Sequence, residues 1–173
     1  MFIRKFVPDL RVDSVYDIDL AALRREGVRG IIADLDNTLV GARHPEATPE
    51  LVEWLENVKA QGFRVVIVSN NGRHRVSAFA DPIRLPYVSR ARKPGQRPFR
   101  KALKLLELTP PETVVVGDQL LTDVFGGNRM GLRTILVTPI SPADESVTTR
   151  INRRIERFIY RRLKKRGLIS WDH

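Results

Sequence analysis

The chain contains no cysteine. That absence excludes a disulfide scaffold, a thiolate zinc site, an iron–sulfur cluster and a cysteine nucleophile. The three histidines, His44, His74 and His173, are too scattered along the sequence to argue a metal site. No apolar run approaches the ~20 residues that span a bilayer. Residues 2–8 have too short an apolar stretch for a secretory signal, so the cytoplasm is the expected compartment. No internal repeat and no low-complexity linker is visible. Acidic residues are outnumbered, 20 against 30 Lys and Arg, and aromatics make up only 7%. No basic stretch is interleaved with aromatics in the manner that stacks nucleic-acid bases.

What is present is an ordinary globular composition. Of 173 residues, 42% are hydrophobic and 29% charged, enough for one domain with a real core. The net charge of +10 is unevenly placed. Residues 1–149 carry +3 and residues 150–173 carry +7. The excess predicts attraction to polyanions such as phosphorylated substrates, anionic lipid or nucleic acid.

Short apolar runs alternate with helical stretches. Residues 30–35, 64–68, 113–116 and 134–137 read as buried strands, with a short one at 87–89. Helices are predicted over 49–61, capped by Thr48 and ended by Gly62, over 96–107, and over 119–129. Trp54 and Phe99 read as core. Strands apolar on both faces that alternate with helices predict an α/β fold. It has three layers and is Rossmann-like, with a parallel sheet between helices. Ligands of such sheets bind beyond the carboxyl ends of the strands.

Asp34-Leu35-Asp36-Asn37-Thr38 follows the first strand and Ser69-Asn70-Asn71-Gly72 the second. Lys93-Pro94 precedes the helix at 96, and Gly117-Asp118 through Asp123 follows the 113–116 strand. A buried sheet does not need clustered carboxylates at one edge, and they repel unless a cation sits among them. These parts suit phosphoryl transfer. An ionised Asp34 can attack phosphorus without a separate base. Asp36 can protonate the leaving oxygen and then deprotonate water. Magnesium at Asp34 and Asp118 would neutralise charge. Ser69, nearby N–H groups and Lys93 can hold phosphoryl oxygens.

The order of these segments resembles the four motifs of the haloacid dehalogenase (HAD) superfamily of aspartate-dependent phosphohydrolases. The resemblance implies Asp34 as nucleophile and Asp36 as acid/base. It implies Ser69, Asn70 and Lys93 at the phosphate, and Asp34, the Asp36 carbonyl and Asp118 at Mg²⁺. Thr38 and Asp123 take supporting roles, at the metal or at Lys93. An Asp at position 36 favours a phosphatase over the dehalogenases and P-type ATPases of the superfamily. Residues 8–18, the approach at Gly27–Gly30 and the motif segments extend the likeness to the YqeG family of HAD-IIIA phosphatases, relatives of phosphatidylglycerophosphate phosphatases. Residues 1–149 are then the phosphatase core and 150–173 a basic helix and tail of the same domain.

About 30 residues separate Thr38 from Ser69, and 24 separate Ser69 from Lys93. Neither interval holds a folded cap, so an open site is expected. An open site favours a bulky or lipid phosphate, and the family resemblance implies phosphatidylglycerophosphate as the preferred substrate. Nucleic-acid ends, nucleotides or phosphoproteins are alternatives, and so is a non-catalytic scaffold on RNA or a membrane. In the tail, a helix capped by Thr148 or Thr149 and starting at Arg150 aligns Ile151, Ile155, Phe158, Ile159 and Leu163. Three readings stand for residues 150–166: a stripe packed on the core with solvated arginines, peripheral docking on the anionic inner face of the membrane, or docking on RNA or protein. Oligomeric state is not legible. Arg73, His74 and Arg75 read as a solvated helix start or as contacts to substrate phosphate, His44 as a solvent-facing loop residue or one that reaches the site, and Arg90 and Arg92 as a basic rim.

Overall fold

A computed structural model describes residues 2–171; Met1 and the last two residues of the tail, Asp172 and His173, lie outside it. Six strands form one sheet: β1 (Leu10–Val12), β2 (Gly30–Ala33), β3 (Arg64–Val68), β4 (Tyr87–Val88), β5 (Thr113–Gly117) and β6 (Arg133–Val137). All neighbouring pairs are parallel, in the order β1-β6-β5-β2-β3-β4. The helices are α1 (Leu20–Arg25), α2 (Pro49–Ala60), α3 (Arg73–Ala80), α4 (Gln96–Leu106), α5 (Phe125–Arg129) and α6 (Val147–Lys165).

The pleat sends alternate strand residues to opposite layers. Ile31, Ala33, Val65, Ile67, Val114 and Val116 join the core under α1, α2 and α3. Ile32, Val66, Val68 and Val115 join a second core with Phe99, Ala102, Leu103 and Leu106 of α4. Strands buried on both faces therefore read as unbroken apolar runs, which is why the sequence displays them clearly. Thr48 caps α2 by accepting from the Leu51 N–H at 3.2 Å, and Trp54 and Phe99 are buried as expected.

Four elements differ from the sequence expectation. β1 and α1, of three and six residues, are too short to stand out; β1 is mostly exposed and held by its ladder to β6. The helix expected over 119–129 is a π-helical turn, Leu120–Val124, running into the short α5. The tail helix begins at Val147, capped by Ser146, whose hydroxyl accepts from the Thr149 N–H at 3.2 Å.

The chain leaves β2 for β3 and β4 on one side, then returns to β5 and β6 on the other. The switch point lies between β2 and β5, where Ala33 pairs with both Ile67 and Val116. The connections there part and leave a crevice at the carboxyl edge.

Candidate active site

Asp34 is the first residue past β2, and its N–H still donates to the Val116 carbonyl at 2.9 Å. The ladder thus fixes its backbone at the crevice. The next residues turn sharply. Asn37 adopts the left-handed region (φ +65°), which asparagine tolerates better than most residues, and its N–H closes on the Val40 carbonyl at 2.7 Å. Thr38 Oγ1 then lies between two carboxylates, 3.1 Å from Asp34 Oδ2 and 3.0 Å from Asp118 Oδ1.

Asp118 follows β5, and Asp123 returns to it from the π-helical turn. That return needs Gly117, because a Cβ there would overlap the Asp123 carboxylate. Oxygen atoms of Asp34, Asp118 and Asp123 lie within 4.8 Å of one another. Lys93 Nζ sits at 2.9 Å from Asp34 Oδ1 and 2.6 Å from Asp123 Oδ1. Asn70 holds the Lys93 backbone at both ends: its Oδ1 accepts from the Lys93 N–H at 2.7 Å and its Nδ2 donates to the Lys93 carbonyl at 3.2 Å. Ser69 is buried, and its Oγ accepts from the Asn71 N–H at 3.1 Å.

Burial sets the electrostatics. It pushes Asp123 up to about 6, although Lys93 beside it pulls the other way. It raises Asp118 well above the usual carboxylate range, reinforced by the charge of Asp34 and opposed by Arg153. Burial alone would lower Lys93; Asp123 and Asp34 outweigh it and hold the ammonium above its ordinary value. Three carboxylates facing the Lys93 ammonium and the Arg153 guanidinium leave negative charge in excess, and hard oxygen donors in that number fit a cation such as Mg²⁺.

The predicted residues thus meet in one place. Asp34, Asp36, Ser69, Asn70 and Lys93 all line a cavity of about 450 Å³. The Asp36 side chain sits apart from the other three carboxylates. Arg75 Nε and Nη2 donate to its Oδ1 at 3.2 and 3.0 Å, and Asn71 Nδ2 donates to its Oδ2 at 3.0 Å. Arg75 is therefore no solvated helix residue; its side chain is 17% exposed. Arg73, His74, His44, Arg90 and Arg92 are exposed.

The far wall was not legible. No cap interrupts the motifs, but Glu145, Thr148, Thr149 and Asn152, from the amino-terminal end of α6 and its approach, border the cavity. Arg153, on the same turn, reaches the Asp118 carboxylate. The only signal for this in the sequence is Glu156, a lone acid in an otherwise basic helix, one turn beyond Arg153. Nor does the tail's apolar stripe behave as one surface. Leu163 is fully buried beside Phe6 and Leu120, and Ile159 is half-buried, whereas Ile151, Ile155 and Phe158 are 46–58% exposed. Polar side chains, with Leu163, seat this helix.

Comparisons with known proteins agree with the geometry. A family model described as HAD-hydrolase-like matches residues 90–148, and one described as mitochondrial PGP phosphatase matches residues 2–79. The probable phosphatase YqeG of Bacillus subtilis is 47% identical over 167 residues, covering 96% of both chains. Phosphatidylglycerophosphate phosphatase 1 of Arabidopsis thaliana is 30% identical over 98% of this chain, which spans about half (52%) of that longer protein. Among solved structures, the cobalt-bound deoxy-D-mannose-octulosonate 8-phosphate phosphatase of Haemophilus influenzae shares the fold at a TM-score of 0.51. It is 11% identical and covers 66% of this chain and 80% of that one. An uncharacterized protein from Listeria monocytogenes serotype 4b does so at 0.54, with 22% identity over 63% and 78%. With a near-complete relative at 47% identity on this fold, the chain belongs to the YqeG family of HAD-type phosphatases and is a phosphoric monoester hydrolase.

Proposed function

We propose that the protein is a Mg²⁺-dependent phosphatase of lipid phosphomonoesters, with phosphatidylglycerophosphate the preferred substrate, working through an aspartyl-phosphate at Asp34. The observation that carries this reading is the convergence of Asp34, Asp118, Asp123 and Lys93 in one cluster, of which Asp34 and Lys93 line the cavity. Asp34 and Asp118, with the Asp36 carbonyl, hold the metal, and Asp123 supports the site. The bound ion supplies positive charge between the Asp34 carboxylate and an anionic phosphate.

Asp34 forms a bond to phosphorus as the ester P–O bond breaks, and Asp36 gives its proton to the departing alkoxide. Arg75 and Asn71 are placed to stabilise the Asp36 anion that this transfer leaves. Asp36 then takes a proton from water, which attacks the same phosphorus and frees Asp34 and inorganic phosphate. Lys93 stays protonated throughout and balances charge on Asp34 and the phosphoryl group; Ser69 and the N–H groups after β3 receive phosphoryl oxygens.

Two observations support a lipid. The Arabidopsis relative is named a phosphatidylglycerophosphate phosphatase. The helix that borders the cavity also presents Val147, Ile151, Ile155 and Phe158 to solvent along one line, beside Arg150, Arg154, Arg157 and Arg161. That pairing suits the surface of an anionic bilayer, with the helix lying on it rather than crossing; among the described residues no helix is long and apolar enough to cross a membrane. The direct test is phosphate release from phosphatidylglycerophosphate in mixed micelles with Mg²⁺, beside an aryl phosphate and a 5′-phosphorylated RNA. Release from the lipid at the highest kcat/KM is expected. Cleavage of the aryl phosphate without the lipid would keep the chemistry and discard the substrate.

The docking face has its own test. Burying Phe158 is worth about 2 kcal/mol, so Phe158→Ser is expected to weaken binding to phosphatidylglycerol vesicles roughly thirtyfold. Hydrolysis of a soluble aryl phosphate should not change. Displacement of the wild-type protein from vesicles by RNA at matched phosphate concentration would instead mark the helix as a nucleic-acid surface.

A further inference from the structure

α6 is anchored to the core less by apolar packing than by a polar face made of residues one turn apart. Asn152 Nδ2 donates to Gln119 Oε1 at 3.3 Å, and Glu156 Oε1 accepts from the Leu121 N–H at 2.9 Å. Between them stands Arg153, with a side chain only 12% exposed. All five of its N–H groups are spent. Nη1 donates to the Asp118 carbonyl at 2.7 Å and to Glu156 Oε2 at 3.3 Å. Nη2 donates to Asp118 Oδ2 and, at 2.7 Å, to Glu145 Oε1, which also accepts from Nε at 3.0 Å. Glu145 is in turn held by Asn37, in the turn that follows Asp36, whose Nδ2 donates to it at 3.4 Å.

A surface helix does not need this to stay in place. Taking a guanidinium and two glutamates out of water costs several kcal/mol per ion, and well-packed apolar side chains would hold the helix at lower cost. The arrangement does accomplish one thing that apolar packing could not. The Asp118 carboxylate is gripped on both oxygens: Thr38 Oγ1 lies at Oδ1 and Arg153 holds Oδ2. Its rotation about the side-chain bond is arrested with Oδ1 turned toward Thr38 and Asp34.

We propose that Arg153 is a positioning residue that couples the seating of α6 to the metal affinity of the Asp34–Asp118–Asp123 site. This rests on the reading of Asp118 as a metal ligand. The coupling has a definite sign. A fixed carboxylate binds a cation better than one free to rotate, and partners that orient metal ligands commonly contribute ten- to a hundredfold in affinity. Thermodynamic reciprocity then requires that metal binding also tighten α6 against the core. Because the opposite face of α6 carries Ile151, Ile155 and Phe158, the element proposed to meet the lipid surface is also the one that holds Asp118.

The test uses the full chain without substrate, with Mn²⁺ as the probe. Its dissociation constant is read by electron paramagnetic resonance for wild type, Arg153→Gln and Arg153→Lys. Amide hydrogen exchange of residues 147–165 is followed with and without metal. Arg153→Gln is expected to raise the dissociation constant about tenfold or more. Lys should restore part of the loss, since one ammonium cannot span Asp118, Glu145 and Glu156 together. In wild type, Mn²⁺ should slow exchange in α6, and this effect should vanish in Arg153→Gln. Equal or tighter Mn²⁺ binding by Arg153→Gln would overturn the proposal, because a guanidinium acting only as a competing charge would weaken the site. If Arg153→Gln does not fold, wild type alone decides: unchanged exchange in α6 on adding Mn²⁺ overturns the coupling. Absence of Mn²⁺ binding in wild type would overturn the metal reading itself, an outcome distinct from binding that is indifferent to Arg153.

Discussion

Asp34→Asn is expected to reduce turnover of any phosphomonoester by roughly 10⁴-fold or more, the scale seen when a covalent nucleophile is removed. Asparagine keeps the shape of the side chain and its hydrogen bond with Thr38, but its neutral amide oxygen cannot form the acyl phosphate. The fold should survive. Asp34 is one of three carboxylates within 4.8 Å of one another, and Lys93 keeps Asp123 at 2.6 Å when Asp34 is neutralised. Removing one negative charge from such a cluster relieves repulsion, so the metal-free variant should melt at or above the wild-type temperature. Steady-state hydrolysis of an aryl phosphate, with thermal unfolding of the same samples, checks both halves. Turnover near the wild-type rate would refute Asp34 as nucleophile; lost activity together with lost folding would refute the charge argument.

Lys93→Met should be the most damaging single change for stability near the site. Nζ is the direct counter-ion of Asp34 and Asp123, and its side chain is 4% exposed. Leaving two buried carboxylates without it costs about 3–5 kcal/mol, and loss of the phosphate-facing charge should lower kcat by roughly 10²–10³. The stability loss has a pH signature. Asp123 is already raised to about 6 with Lys93 beside it; without the ammonium it rises further. An acid whose folded pKa exceeds its unfolded value of about 3.9 binds more protons when folded, so stability falls as pH rises through that interval. Urea midpoints of wild type and Lys93→Met should therefore lie closer together at pH 5 than at pH 8. Added Mg²⁺ should recover part of the difference at pH 8, because an ion that binds only the folded state stabilises it by mass action. A deficit equal at both pH values would show that the loss comes from packing rather than charge.

The sheet, its parallel sense and the edge that carries the chemistry were legible because their causes are local. β2, β3, β5 and β6 are buried on both faces, so they stand in the sequence as unbroken apolar runs, and the residue after each run must fall at the carboxyl edge. That reasoning alone brings Asp34, Ser69 and Asp118 together, with Lys93 reached through the loop before α4. β1 escaped notice because an edge strand with an exposed face is held by its ladder, not by a distinctive side-chain pattern. Asn70, expected at the phosphate, lines the cavity and spends its side chain on the backbone of Lys93, 23 residues away, a contact that no local pattern shows.

The carboxyl-terminal helix marks where local reasoning stops. Periodicity placed Ile151, Ile155, Phe158, Ile159 and Leu163 on one stripe and the arginines away from it. It could not say which face would seat on the core. That choice depended on partners distant in the chain: buried Asp118, the Leu121 N–H that donates to Glu156, and the apolar pocket that takes Leu163. Buried charge outweighs exposed hydrocarbon in that balance, since an unpaired carboxylate in the interior costs several kcal/mol and an exposed isoleucine only one or two. Apolar pattern along the chain is thus enough to specify the central strands and the edge at which Asp34, Ser69 and Asp118 stand. The pairing of charges across the fold specifies which helix closes the site, and which of its residues face Asp118 and which face outward.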